Sequence, residues 1–237
     1  MTARRATPRV AKAAGLGVAL LVIAVNLAGC EGLAAAAVVM RDTDIRAVYK
    51  LPDRSLAVVV DDPKNQLRDP NATGRVVSNA TYYLHLNRSK AGLSADTEIF
   101  GVSDLRELQR QTGVDAFAQM PIDAIGRELG ADQVIYAEVL SAGARVAGDL
   151  YRPNATIEVK IVNSKDGRRI WPNPGGDLTR PGPGHLKAIE LEFESSKIRD
   201  RSVEFELMRR LAEEVGKEIA QLFYKHRGDE PGDDLPG

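Results

Sequence analysis

Five apolar residues run without a break from Leu56 to Val60 and stop at Asp61, Asp62 and Pro63, the pattern of a buried strand ended by a turn. The period then changes. Val76, Val77, Ala80, Tyr83, Leu84 and Asn87 recur at helical spacing before Gly92 closes the run. Residues 97–102 read as a second short strand. The next segment opens on Ser103, a good capping residue, sets Leu105 and Leu108 on one face and ends at Gly113. A further helix takes Pro121 into its first turn, aligns Ile122, Ile125 and Leu129, and stops at Gly130.

Val134, Ile135, Tyr136 and Ala137 follow with no polar break, as in a strand covered on both faces, which predicts a central place in a sheet. The next strand differs. Ala155, Ile157, Val159 and Ile161 fall on one side and Thr156, Glu158 and Lys160 on the other, so one face meets solvent. Asp166 and Gly167 supply a turn, and the chain returns to Trp171 as the second half of a hairpin. Residues 172–184 hold too much proline and glycine for a helix or a central strand; a loop is expected there, and it is a candidate interaction strip. Ile189, Leu191 and Phe193 alternate as an edge strand would. Val203, Leu207, Leu211, Val215, Ile219 and Leu222 form one apolar stripe on a long charged helix. That stripe is expected to cover the sheet, with pairing to a second copy as the alternative that would make a homo-oligomer. Residues 226–237 are polar and predict a disordered tail. The fold class is therefore α/β: a mixed β-sheet packed by helices, order β-α-β-α-α-β-β-β-(β)-α, as a single domain over residues 55–225.

The first 54 residues carry a different pattern. Arg4, Arg5, Arg9 and Lys12 precede residues 13–25, which are uncharged and mostly apolar. That length suits the h-region of a secretory signal, about 7–15 residues, rather than a spanning helix, which needs about 20. Leu27, Ala28, Gly29 and Cys30 come next, and this "LAGC" resembles the lipobox of bacterial lipoproteins. A thiol is readily activated as a nucleophile. What the resemblance implies is a diacylglyceryl thioether on Cys30, cleavage between Gly29 and Cys30, and acylation (palmitate) of the new amino terminus. Residues 1–29 would then be the signal peptide, with Leu27, Ala28 and Gly29 as its peptidase recognition, and 30–54 the lipidated N-terminus and linker. Three other readings stand beside it: an uncleaved single-span anchor over 13–30, a plain secretory signal, and a small core hydrophobe. Glu31 stands where an aspartate would resemble an inner-membrane retention signal, so the outer membrane is the expected location.

Without the four leader cations, 28 basic residues face 33 acidic ones. A mildly acidic chain has no global attraction to nucleic acid. With a single cysteine no internal disulfide forms, so core packing must stabilise the fold even in a disulfide-permissive compartment. His85, His185 and His226 have no metal-ligand spacing, and neither a GxSxG elbow nor a Walker A loop occurs. No catalytic residue, metal or cofactor other than the covalent lipid is expected. Asp61 and Asp62 at a strand end are the one pair that would support an enzyme, a metal-dependent hydrolase.

The segment "IGRELGADQVIYAEV", the alternating strand after it and "VNSKDGRRIW" resemble a pattern of periplasmic α/β lipoproteins: the superfamily of the curli-secretion lipoprotein, the lipoprotein activators of penicillin-binding proteins and the amino-terminal domain of the Tol-system periplasmic protein. The residues that match are Gly130, Ala131, Asp132, Val134, Ile135, Glu138, Asp166, Gly167 and Trp171. The resemblance implies a membrane-anchored, periplasm-facing binding or assembly module of the cell envelope that works through protein contacts. A structural subunit of a secretion ring or pore is the second alternative; no long amphipathic insertion of the kind that builds a membrane barrel is evident.

Overall fold

A sheet forms where the period-2 and continuous apolar runs lie, and helices cover it where the period is 3.6. In the computed structural model, which describes residues 44–147, 150–172, 184–194 and 201–228, the elements are β1 (Leu56–Asp61), α1 (Ala72–Leu86), α2 (Arg88–Ala91), β2 (Ile99–Phe100), α3 (Val102–Thr112), α4 (Val114–Ala118), α5 (Ile122–Leu129), β3 (Gln133–Ala147), β4 (Leu150–Asn163), β5 (Arg169–Trp171), β6 (His185–Glu190), β7 (Phe193–Glu194) and α6 (Arg201–Gln221). By internal packing the chain divides into Met1–Asp44 and Ile45–Gly237. The second unit is the α/β domain.

The sheet runs β2-β1-β3-β4-β5, with β6 and β7 also on β4. β1 pairs in parallel with both β2 and β3, whereas β4 pairs antiparallel with β3, β5, β6 and β7. The sheet is thus mixed, as the sequence predicts. β3 is central because its run from Val134 to Ala137 is buried on both faces. In β4 the side chains of Ala155, Ile157, Val159 and Ile161 are at most 2% exposed, while those between them are half-exposed.

Two clusters divide the interior. On one face α1 and α6 press Val76, Ala80, Leu84, Leu211, Val215 and Ile219 onto Val58, Ile135, Ile157 and Ile161. On the other, Leu108 of α3 and Ile125 of α5 cover Ala57, Val59, Val134 and Tyr136. β1 and β3 are therefore enclosed on both sides, and β4 on one.

Several details depart from the sequence reading. The N-cap of α3 is Gly101, not Ser103: the Gly101 N–H donates to Asp104 Oδ2 at 2.8 Å, so Ser103 lies inside the first turn. Helices α2 and α4 are additional; the first follows a break at Asn87 and ends at Gly92, φ 92°. β3 and β4 extend past the predicted strands into residues 141–154, where small residues, Gly143 and Pro153 hide the alternation. Pro153 sits where the outer edge of β4 passes from β6 to β7, and its carbonyl accepts from Leu191 N at 2.9 Å. The expected edge strand is two strands, β6 and β7, with Leu191 and Glu192 between them. Residues 45–54, read as linker, bring Leu51 into the main core and pack Tyr49 against it. At the other end His226–Arg227 is a short strand rather than tail. Cys30 and the preceding Leu27, Ala28 and Gly29 lie outside the described residues, as do 173–183 of the Pro/Gly loop.

Candidate functional site

Helices α1 and α6 cross closely at Gly216. A Cβ there would meet Val76 O and lie 2.7 Å from Asn79 Cβ, so only glycine permits this approach. Beside the crossing an open groove of about 350 Å³ is left between the helices and the β6–β7 segment. Asn79 and Tyr83 of α1 with Leu191 and Phe193 line one part of it, and Arg209, Arg210, Glu213, Glu214 and Lys217 of α6 line the rest. Tyr83 and Leu191 pack from the groove onto the main core.

The charged wall is organised along one helix face. Arg209 bonds Glu206 and also reaches Glu213 at 2.9 Å; Arg210 lies 3.7 Å from Glu206, and Lys217 2.9 Å from Glu214. These are i,i+3 and i,i+4 pairs, neighbours on a helix surface. The hydrogen bond from Arg209 holds the Glu206 carboxyl below the usual carboxylate range. Below the groove, burial pushes the Tyr224 phenol up to about 12, with Tyr83 adding to the shift. The lining is mixed, with Tyr83, Leu191 and Phe193 facing the charged side chains of α6.

The residues singled out from the sequence do not converge on a catalytic centre. Asp61, Glu138 and Glu158 stand in one cross-strand row over β1, β3 and β4. Tyr136 hydroxyl donates to Asp61 Oδ2 at 3.1 Å, and Lys160 Nζ lies 4.7 Å above the Tyr136 ring. Burial and then the Asp61 charge raise the Tyr136 phenol well above its ordinary range. Asp62 turns away from this row to stop the chain: its two oxygens accept Gln66 N at 2.8 Å and Leu67 N at 2.9 Å. Among the described residues no group of three or more histidine, cysteine or carboxylate side chains is gathered to hold a metal ion. His85 in α1 meets Arg88, His185 opens β6 against Trp171, and His226 Nδ1 lies 3.1 Å from Tyr224 O. They belong to three different elements.

The residues behind the family resemblance have structural roles. Gly130 ends α5 in the left-handed region at φ 79°, and Gly167 makes the hairpin turn at φ 69°. Asp132 accepts from Ser55 Oγ at 2.9 Å, tying the start of β3 to β1. Trp171 is 7% exposed, with the Tyr49, His185 and Phe223 rings around it. The groove itself had no sequence signature, since its lining comes from three separated segments. The alternation that ends in Leu191 and Phe193 was its one visible part.

No family model matches this chain, and no curated protein matches it. Solved structures that partly overlap this one include bacterial lipoproteins. Lipoprotein GNA1162 from Neisseria meningitidis is 18% identical, with 70% of this chain and 97% of that one covered and a TM-score of 0.38. A PelC dodecamer from Paraburkholderia phytofirmans is 13% identical over 77% of this chain and 96% of that one, at a TM-score of 0.37. A minor lipoprotein from Acinetobacter baumannii is 12% identical over 73% and 92%, at 0.33. These scores describe a partial overlap of folds and assign this chain neither a family nor a function.

Proposed function

We propose that this is a lipid-anchored protein of the bacterial cell envelope, periplasm-facing on the outer membrane, that binds or assembles another envelope protein through the α1–α6 groove rather than catalysing a reaction. The observation that carries the reading is the placement of "LAGC" directly after an uncharged apolar run and 15 residues before the folded unit begins at Ile45. A lipid on Cys30 confines the domain to a membrane surface, where an effective concentration in the millimolar range makes weak contacts sufficient. Among the described residues no helix is long and apolar enough to cross a membrane.

Two measurements test this. Cys30→Ala abolishes fatty-acid labelling and releases the protein from membranes; unchanged labelling defeats the anchor. A photo-crosslinking residue in place of Phe193, in cells, yields a discrete adduct that an Arg210→Glu change weakens. If no adduct forms at Phe193 while control positions outside the groove do crosslink, the groove is not the contact site.

A further inference from the structure

Three segments meet at one end of the domain. Val48 N and Tyr49 N donate to Leu222 O at 2.8 and 3.1 Å, and Leu51 N donates to Ala91 O at 3.2 Å. The Lys50 side chain passes so close to Gly92 that a Cβ on that glycine would lie 2.9 Å from Lys50 Cε. Residues 45–50, 82–92 and 222–227 therefore form a common surface. Their composition is unlike the rest of the chain. They hold Arg46, Lys50, Arg88, Lys90, Lys225 and Arg227 with no aspartate or glutamate inside them, and Asp44 and Asp53 flank the first segment, in a chain whose acidic residues outnumber the basic ones. Asp53, which follows, is occupied, accepting from Ser94 N at 2.8 Å and from Thr97 Oγ1 at 2.5 Å.

The same end is apolar at its tips. Ile45 is 48% exposed, Val48 50%, Tyr82 60% and Leu86 66%, half of the large hydrophobic side chains exposed among the described residues. Tyr82 and Leu86 are i and i+4 on α1 and share a face. Cations interleaved with a tyrosine and aliphatic tips are what an interfacial segment presents to a membrane, the charges to anionic headgroups and the apolar tips to the boundary beneath them.

We propose that this end of the domain docks on an anionic phospholipid bilayer. The inference rests on the lipid-anchor reading, because the chain that arrives at Ile45 is the one that carries Cys30. Fifteen residues reach at most about 55 Å when fully extended, and a domain of this size has a radius of gyration of roughly 16 Å. The basic end is therefore held within one molecular diameter or so of the bilayer, and modest attraction is enough to seat it. Asn79, at the far end of the groove, lies about 10 Å along α1 from Leu86 at 1.5 Å per residue, while Tyr83 of the groove lining borders the contact.

Cys30 is the only cysteine, and once it is lipidated a Leu86→Cys variant has a single free thiol. The lipidated full chain is labelled at that thiol with an environment-sensitive fluorophore and reconstituted in phosphatidylethanolamine/phosphatidylglycerol vesicles containing a nitroxide-lipid quencher. Val114→Cys, at a site 65% exposed on α4, serves as the reference. Docking gives a blue-shifted emission and about threefold stronger quenching at position 86 than at 114. The difference disappears in phosphatidylcholine, in about 0.5 M salt, or after Arg46→Glu, Lys50→Glu and Lys90→Glu together. Equal, water-like signals at both positions in anionic vesicles overturn the proposal. Failure of the anchor reading looks different: the protein leaves the vesicles whatever its emission, or, held by an uncleaved span, it stays with two thiols labelled per chain.

Discussion

At the scale of single residues, the carboxylates at the end of β1 have separate tasks. Asp62 accepts two backbone N–H groups, one of them from Leu67, which is fully buried. Asp62→Ala leaves both without a partner and is expected to lower stability by about 1–2 kcal/mol, read as a lower urea midpoint. Asp61→Asn keeps an acceptor for the Tyr136 hydroxyl and relieves the row with Glu138 and Glu158, so its effect stays within about 0.5 kcal/mol. The reverse ranking would indicate that Asp61 holds something the fold needs. His185 makes a second case. Burial, and then the Lys187 charge, depress its pKa below the ordinary value of about 6.5. Between the depressed value and 6.5 the unfolded chain takes up a proton that the folded chain refuses, so stability falls as pH drops through that window and levels off below it. His85, depressed by burial and then by Arg88, acts in the same direction. The urea midpoint is therefore lower at pH 5.5 than at 7.5, and His185→Gln narrows the gap; an unchanged gap would remove His185 from the account.

At the scale of elements, glycine has two distinct roles, and the variants separate them. Gly130 ends α5 at φ 79° with open space around its Cβ position, so Gly130→Ala carries only the left-handed penalty of about 1 kcal/mol. Gly216 stands where α6 touches the α1 backbone. Gly216→Ala must push two helices apart and is expected to cost about 2–3 kcal/mol despite alanine's better helix propensity. Thermal or urea denaturation of the two variants side by side checks the order. The first role was legible in the sequence, since a glycine after the last periodic residue of a helix reads as a stop. The second was not, because nothing in a single chain marks which residue of a helix meets another helix. The same limit applies to the strands. β4 was legible where Ile157, Val159 and Ile161 alternate with Glu158 and Lys160, and illegible from Leu150 to Asn154, where pairing with β3 rather than side-chain pattern makes the strand. Ser103 had the right chemistry for a cap, but Asp104, one residue on, reached the free N–H of Gly101.

At the scale of the whole molecule, two apolar clusters are joined by the strands they share. Leu56 and Val58 of β1 face the α1–α6 cluster, and Ala57 and Val59 face the α3–α5 cluster; Ile135 and Val134 divide in the same way on β3. No rearrangement of one layer leaves those strands unaffected, so the domain is expected to unfold in one transition. Ile157→Ala, in the larger cluster at 0% exposed, should cost about 3–4 kcal/mol, and Leu108→Ala, in the smaller cluster at 5%, about 2–3 kcal/mol. Both should shift a single urea midpoint without changing the slope, whether followed by circular dichroism or by the fluorescence of Trp171, which reports on the larger cluster alone. An early circular-dichroism transition in Leu108→Ala that leaves Trp171 fluorescence unmoved would mean that α3, α4 and α5 form a layer able to melt by itself. The groove would still have its floor in that case, because Tyr83 and Leu191 pack on the larger cluster. Partner capture through Phe193 would then survive conditions that melt the other face, which a crosslinking yield measured across the first transition would reveal.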